Sequence, residues 1–226
     1  MIDEYYQIHI ARYRQIIDAV LALHLPSPSK VLDVGCYPLH LFKLLEQQNY
    51  QVFGISSPHE PVNHPQVKTC DLENEVIPFK ANQFDLVIFT EVFEHLCYSP
   101  SKVLIEINRV LKPGGWLIFT TPNVLRFQNI INLILGKNIY FPLFQLDQPL
   151  NFRHHREYTH NEVIQIMTES KFKIIKSDFI ISYPPFRQRN QKDHFFLKII
   201  KYFNYFFSLL FSHRRDTLFF LVQKPL

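Results

Sequence analysis

The stretch Val31-Leu32-Asp33-Val34-Gly35-Cys36-Tyr37-Pro38-Leu39-His40-Leu41 decides the fold: an apolar run of strand type ends in a tight turn and passes directly into an amphipathic helical pattern. Strand, turn and helix in that order begin a nucleotide-binding α/β domain. The turn holds one glycine, Gly35, where dinucleotide loops hold two or three, so it marks a ligand site without naming the ligand.

On the N-terminal side, residues 5–23 place Tyr6, Ile10, Tyr13, Ile16, Ile17, Val20 and Leu21 at helical spacing, and Pro26 and Pro28 close that helix. On the C-terminal side, residues 39–48 predict a helix, 51–55 a second strand and 67–70 a short third strand. Phe84–Thr90 is apolar and bounded by polar residues, as expected of a central parallel strand buried on both faces. A helix over 99–111 stops at Lys112-Pro113-Gly114-Gly115, and a strand over 116–121 follows. Beyond Pro122, residues 124–135 and 161–170 read as helices around an irregular aromatic stretch at 137–156, and 172–181 reads as a strand. Residues 183–194 are polar, 195–211 form an aromatic helix, and 216–223 is a last strand that closes the sheet. The alternation predicts an α/β fold: a doubly wound, mostly parallel sheet of seven strands in three αβα layers, with the site at the strands' carboxyl ends.

The 226 residues suit a single domain, with 1–28 as an N-terminal helix, 123–160 as an acceptor-side insert and 183–215 as a basic aromatic insert before the last strand. Apolar residues at 47% and charged residues at 19% exclude a disordered chain. The N-terminus lacks the basic, apolar and small-residue order of a secretory signal, which makes the cytoplasm the expected compartment. Cys36, Cys70 and Cys97 have no paired spacing, so they read as reduced packing residues and not as a disulfide or zinc framework. Residues 1–182 hold 16 Lys+Arg against 18 Asp+Glu and residues 183–226 hold 8 against 2, a body near −2 and a tail near +6. The helix at 195–211 is too short and too charged for a membrane span. It reads either as an interfacial helix on anionic lipid at the inner membrane surface, or as a core or homodimer contact. No nucleic-acid signature accompanies the basic tail.

Three segments in order, VLDVGC at 31–36, FDLVIFTEVFEHL at 84–96 and LKPGGWLIFTTPN at 111–123, resemble class I S-adenosylmethionine-dependent methyltransferases over residues 30–181. The runs LGKNIY at 135–140 and HHREYT at 154–159 are similar to a bacterial subgroup that modifies polysaccharides and lipids. The resemblance implies a Rossmann-like sheet, S-adenosyl-L-methionine as cofactor, and transfer of its methyl group to a small-molecule, glycan or lipid acceptor. It places Asp33, Gly35 and Cys36 at the amino acid end of the cofactor, Ser56 at the ribose, Asp71 with Leu72 at the adenine, and Glu91 where donor and acceptor meet. Family members commonly have glycine at the places of Tyr37 and Leu39 and an acid at the place of Ser56. These bulkier residues predict a narrowed channel, and the alternative function is a non-catalytic scaffold or partner subunit.

Glu94 and His95 form an exposed-looking pair just past the fourth strand, where His95 serves either as a general base or to orient the loop. In the insert, His154 or Tyr158 lines the acceptor pocket, or the segment is a helix entry in which Thr159 and Glu162 make a capping box. A metal held by His95, His154 and His155 has no helical ligand spacing to recommend it, and none is expected.

Overall fold

The computed structural model describes residues 4–98, 100–140, 153–182 and 195–226. The polar stretch at 183–194 and the middle of the irregular stretch, 141–152, lie outside the described residues. The elements in chain order are α1 (Glu4–Leu21), β1 (Lys30–Val34), α2 (His40–Glu46), β2 (Gln51–Ser56), β3 (Val67–Thr69), β4 (Phe84–Thr90), α3 (Pro100–Val110), β5 (Leu111–Pro122), α4 (Phe127–Ile134), α5 (His160–Glu169), β6 (Lys173–Ile180), α6 (Phe195–Leu210) and β7 (Thr217–Gln223). A 3-10 turn at Phe93–His95 follows β4.

The seven strands run in the order β3-β2-β1-β4-β5-β7-β6. β1 pairs in parallel with β2 on one side and β4 on the other, so the direction of winding reverses between β1 and β4. In open α/β sheets that reversal opens a crevice at the carboxyl ends of the two strands. Alternate residues of β4 feed opposite faces, as the two-residue period of a strand requires. Leu86 and Ile88 join Val31, Phe42, Leu45, Tyr13 and Ile16 under α1 and α2. Val87 and Phe89 join Leu104, Ile107, Val163 and Met167 under α3 and α5. Both faces are thus covered, and the three-layer architecture follows from the pattern.

The last strand does not lie at the sheet's rim. β7 is antiparallel to both β5 and β6 and fits between them, with Phe119 opposite Phe220 and Ser177 opposite Phe220 on the other side. Four of its seven residues in a row, Thr217–Phe220, are buried, whereas β6 carries exposed Lys173 and Lys176 and suits an edge, where charge discourages further pairing. β5 also begins earlier than expected, at Leu111, because the Lys112–Gly115 turn is a register shift within the strand. α4 begins later, at Phe127: the Asn123 side chain accepts from the Leu125 amide at 3.0 Å and holds a turn there. The capping box at Thr159 and Glu162 is present.

Two close approaches depend on glycine. A Cβ on Gly35, whose φ is +83°, would stand 2.3 Å from Val92 Cγ2. A Cβ on Gly54 would stand 2.7 Å from Cys36 Sγ and 2.9 Å from Val67 Cγ2. Gly54→Ala should therefore cost about 1–3 kcal/mol of stability by overpacking. Adding Cys36→Ala should restore part of that loss, because it removes the Sγ the new methyl meets; urea denaturation of the two variants and the wild type measures both effects.

Candidate active site

A cavity of about 650 Å³ occupies the crevice predicted by the strand order, within the range of small-molecule sites. The turn after β1 forms its floor. Gly35 and Cys36 both donate their amide hydrogens to the Ile55 carbonyl, at 2.9 and 3.0 Å, which ties the turn to β2. These amides are engaged by the sheet and make no cradle for phosphates. The glycine serves the turn's φ and the packing of Val92 as well as any ligand.

Asp33 reaches into this cavity from the fourth position of β1 and is 3% exposed. It has no hydrogen bond or ion pair among the described residues, and burial pushes its carboxyl up to about 7. A buried carboxylate in that state is stabilised by a cationic ligand. Tyr37 lines the cavity half exposed, while Leu39 takes a left-handed backbone (φ 74°) and turns into the core beside α1 and α2. Leu39 therefore takes no space from the cavity, and Tyr37 stands on its wall without closing it.

Ser56 is fully buried, is not among the cavity-lining residues, and its hydroxyl lacks a hydrogen-bond partner among the described residues. Its neighbours Ile55 and Ser57 line the cavity instead, together with Glu60, whose carboxyl burial raises above the usual range. Asp71 and Leu72 lie at the same end. Asp71 accepts from Asn74 Nδ2 at 2.8 Å and from the Glu73 amide at 3.0 Å, and the Asn74 bond holds its carboxyl below the ordinary value.

Glu91 lines the cavity where β4 ends, with φ at 54°. It pairs with Arg12 at 3.1 Å and accepts from Thr120 Oγ1 at 2.9 Å, which fastens α1 over the sheet edge. Tyr5, Arg12 and Tyr13 of α1 consequently form a wall of the cavity. Sequence reading placed Tyr13 on the apolar face of the helix and gave Tyr5 and Arg12 no role; the signal missed was an arginine directly before a core tyrosine. Glu60 and Tyr98 were also missed, since they sit in loops without a motif, as was His40 at the start of α2.

Glu94 is buried and does not line the cavity, contrary to its exposed look in the sequence. Its Oε2 accepts from Thr121 Oγ1 at 3.0 Å, and its Oε1 has no hydrogen-bond partner among the described residues. Burial, with Glu91 nearby, pushes its carboxyl well above the ordinary range. His95 does line the cavity. Its Nδ1 lies 2.9 Å from the Arg153 carbonyl, an acceptor only, so Nδ1 carries the proton and Nε2 the lone pair, 3.8 Å from Glu94 Oε1. Burial pushes the imidazole down to about 4, leaving it neutral at physiological pH.

In the insert, neither His154 nor Tyr158 lines the cavity; His155 does. Tyr158 packs in the core, its ring 4.7 Å from that of Phe93. His154 hydrogen-bonds Glu157 at 3.0 Å and stands 4.0 Å from Glu94 Oε1. The side-chain donor atoms of Glu94, His95 and His154 all lie within 4.8 Å of one another, a grouping different from the histidine trio considered from sequence. Of the three cysteines, Cys36 and Cys70 are buried as expected, and Cys97 is exposed.

Residues 5–177 match a family model described as a methyltransferase domain. The chain belongs to this methyltransferase-domain family. Among curated relatives, a ubiquinone biosynthesis O-methyltransferase of Pseudomonas entomophila is 35% identical over 104 residues, covering 42% of this chain and 44% of that protein. The mitochondrial protein of the same name from Mus musculus is 32% identical over 128 residues, covering 50% and 34%. The chain thus spans less than half the length of these relatives. In fold, a SAM-dependent methyltransferase from Methanosarcina mazei matches 92% of this chain and 97% of its own at a TM-score of 0.60 and 15% identity. The [4+2]-cyclase SpnF matches 94% and 81% at 0.59 and 18%. The methyltransferase fold therefore carries more than one chemistry, and the side chains of the cavity have to decide among them.

The raised carboxyl of Asp33 makes a pH prediction. The folded state holds this proton up to about pH 7, whereas the unfolded chain releases it near 3.8, so its contribution to stability is full at low pH and is lost as pH rises through 7. Asp33→Asn should remove that component between about pH 4 and 7, which denaturation curves of both proteins across the range will show.

Proposed function

We propose that this chain is a methyltransferase that binds S-adenosylmethionine in the 650 Å³ cavity and transfers its methyl group to an oxygen of a small-molecule, glycan or lipid acceptor. The observation that carries the reading is Asp33: a buried carboxylate with no described partner, at the reversal of the sheet, suited to the ammonium of an amino acid ligand. When bound, the cofactor supplies a methyl group on a sulfonium, already a good electrophile. The residues' task is then mainly to hold donor and acceptor in line and to exclude water.

Asp33 holds the amino acid end, with the Gly35–Cys36 turn beneath it. Glu60 and Ser57 face the ribose in place of Ser56, and Asp71 with Leu72 faces the adenine. The acceptor enters beside Glu91, His95 and His155. An oxygen acceptor agrees with the names of the relatives, which are O-methyltransferases. The scaffold alternative rested on bulk at Tyr37 and Leu39 and on a serine, Ser56, at the place of an acid; the open cavity, the packing of Leu39 into the core and the carboxyl of Glu60 in the cavity weigh against it.

Calorimetric titration with S-adenosylmethionine tests this reading. The wild type should bind one equivalent, and Asp33→Asn should weaken binding at least about 10-fold, or ~1.4 kcal/mol, for the lost ion pair. No heat with wild type at millimolar cofactor would overturn the proposal.

A second feature concerns where the acceptor resides. Tyr202, Phe203, Phe206, Leu209 and Leu210 of α6 form an exposed stripe at helical spacing, next to exposed Leu133 and Ile134 of α4. α4 and α6 are joined by Phe127 stacked on Phe207 at 3.9 Å. With the net +6 of residues 183–226, the stripe supports peripheral contact with anionic lipid. No described helix is long and apolar enough to cross a membrane. Phosphatidylglycerol vesicles should sediment the protein, and Phe203→Glu with Phe206→Glu should abolish sedimentation; equal sedimentation of both proteins would contradict the contact.

A further inference from the structure

Glu94, His95 and His154 turn one carboxyl oxygen and two imidazole nitrogens toward one another, all within 4.8 Å. The carboxylate oxygen Oε1 of Glu94, a residue 1% exposed, has no hydrogen-bond partner among the described residues. Nε2 of His95 lies 3.8 Å from it and Nε2 of His154 lies 4.0 Å from it. The opposite nitrogen of each ring is held by an oxygen acceptor, which leaves Nε2 as the atom that can ligate. Nδ1 of His95 faces the Arg153 carbonyl at 2.9 Å. Nδ1 of His154 faces Glu157 Oε1 at 3.0 Å, and Arg126 and Asn129 hold the other oxygen of that carboxylate. Two imidazoles converging on one buried carboxyl oxygen without a hydrogen-bond partner suit a cation, which on binding displaces any proton held between them.

We propose that Glu94 Oε1, His95 Nε2 and His154 Nε2 bind one divalent first-row transition metal ion of zinc type, and that its open coordination position takes an oxygen of the methyl acceptor. The first half stands on the cluster alone; the second rests on the reading of the chain as an oxygen methyltransferase.

Each histidine already has the outer partner that metal-bound imidazoles use, a carbonyl for His95 and a carboxylate for His154, which fixes the tautomer and the ring plane. Thr121 Oγ1 on Glu94 Oε2, at 3.0 Å, does the same for the third ligand. Bonds of about 2.0–2.1 Å in a tetrahedral site set ligand atoms roughly 3.3 Å apart, so each imidazole needs to close on Glu94 by less than an ångström. Two imidazoles and one carboxylate suit zinc, iron or cobalt, whereas magnesium and calcium take oxygen ligands. His95 lines the donor cavity, so an ion on its Nε2 stands next to the space where the acceptor enters. An ion there would make a bound acceptor hydroxyl more acidic; its proton would pass to solvent water as the oxygen takes the methyl group and the donor's sulfonium leaves as a neutral thioether.

The test is titration of the chelator-treated full chain with Co2+ followed by its visible ligand-field absorption, with Zn2+ as competitor. One equivalent should bind and Zn2+ should displace it; Glu94→Gln and His154→Gln should each weaken binding at least 10-fold. Thermal unfolding shows whether each variant is folded; if His154→Gln is not, Glu157→Gln, which weakens the outer partner of His154 as well as the pair with Arg126, takes its place and should also weaken cobalt binding. Acetohydroxamate, a small oxygen ligand, should shift the cobalt spectrum; an unchanged spectrum would overturn the acceptor position. No cobalt binding by the wild type, or equal binding by folded variants, would overturn the site. A wild type that binds S-adenosylmethionine but no cobalt refutes this site and leaves the methyltransferase reading; a wild type that binds cobalt but no cofactor does the reverse.

Discussion

Val92 lies on Gly35 so closely that a single added carbon would sit 2.3 Å from its methyl group, and the whole carboxyl edge of the sheet is arranged around that contact. It joins the turn after β1 to the turn after β4, the two strands between which the winding reverses. Because the two turns touch, Asp33 and Glu91 face one cavity, and His95, three residues past Val92, enters the same space. A larger residue at 35 would separate the turns and the site with them. The positive φ of Gly35 adds a second reason for glycine, since other residues are strained there.

Three acids at this edge differ in role because their surroundings differ. Glu91 is fully engaged, by Arg12 and Thr120, and anchors α1. Asp33 is buried without a described partner and is suited to a cationic ligand. Glu94 keeps one oxygen for Thr121 and turns the other toward two imidazole nitrogens. Burial raises both Asp33 and Glu94, but the first faces the open cavity and the second faces a closed cluster. Environment, not residue type, separates ligand contact, framework and metal ligation.

The architecture was largely legible in the sequence, because each strand buried on both faces leaves a run such as Phe84–Thr90 and each covering helix a periodic stripe. The position of β7 between β5 and β6 was not, since antiparallel insertion depends on contacts far apart in the chain. Asp33, Gly35, Asp71 and Glu91 were legible as cavity residues because short local motifs place them at strand ends. Ser56 was misplaced by one position, its neighbours Ile55 and Ser57 being the ones that line the cavity. The contributions of α1 were illegible, for an amphipathic helix reads as core whether or not its end hangs over a site. The His154 cluster was half legible: the sequence reading grouped His95 with His154 but took His155 as the third member in place of Glu94, since no local spacing shows which side chain turns toward the pair.

Hydrogen–deuterium exchange of the full chain with and without S-adenosylmethionine tests the central claim most directly. Ligand in the β1/β4 crevice predicts slowed exchange in the loops after β1, β2, β3 and β4, at residues 35–40, 57–60, 70–73 and 91–98, and in α1 near Tyr5 and Tyr13, with α4 and α6 unchanged. Protection confined to α4 and α6, or no protection at saturating cofactor, would contradict it.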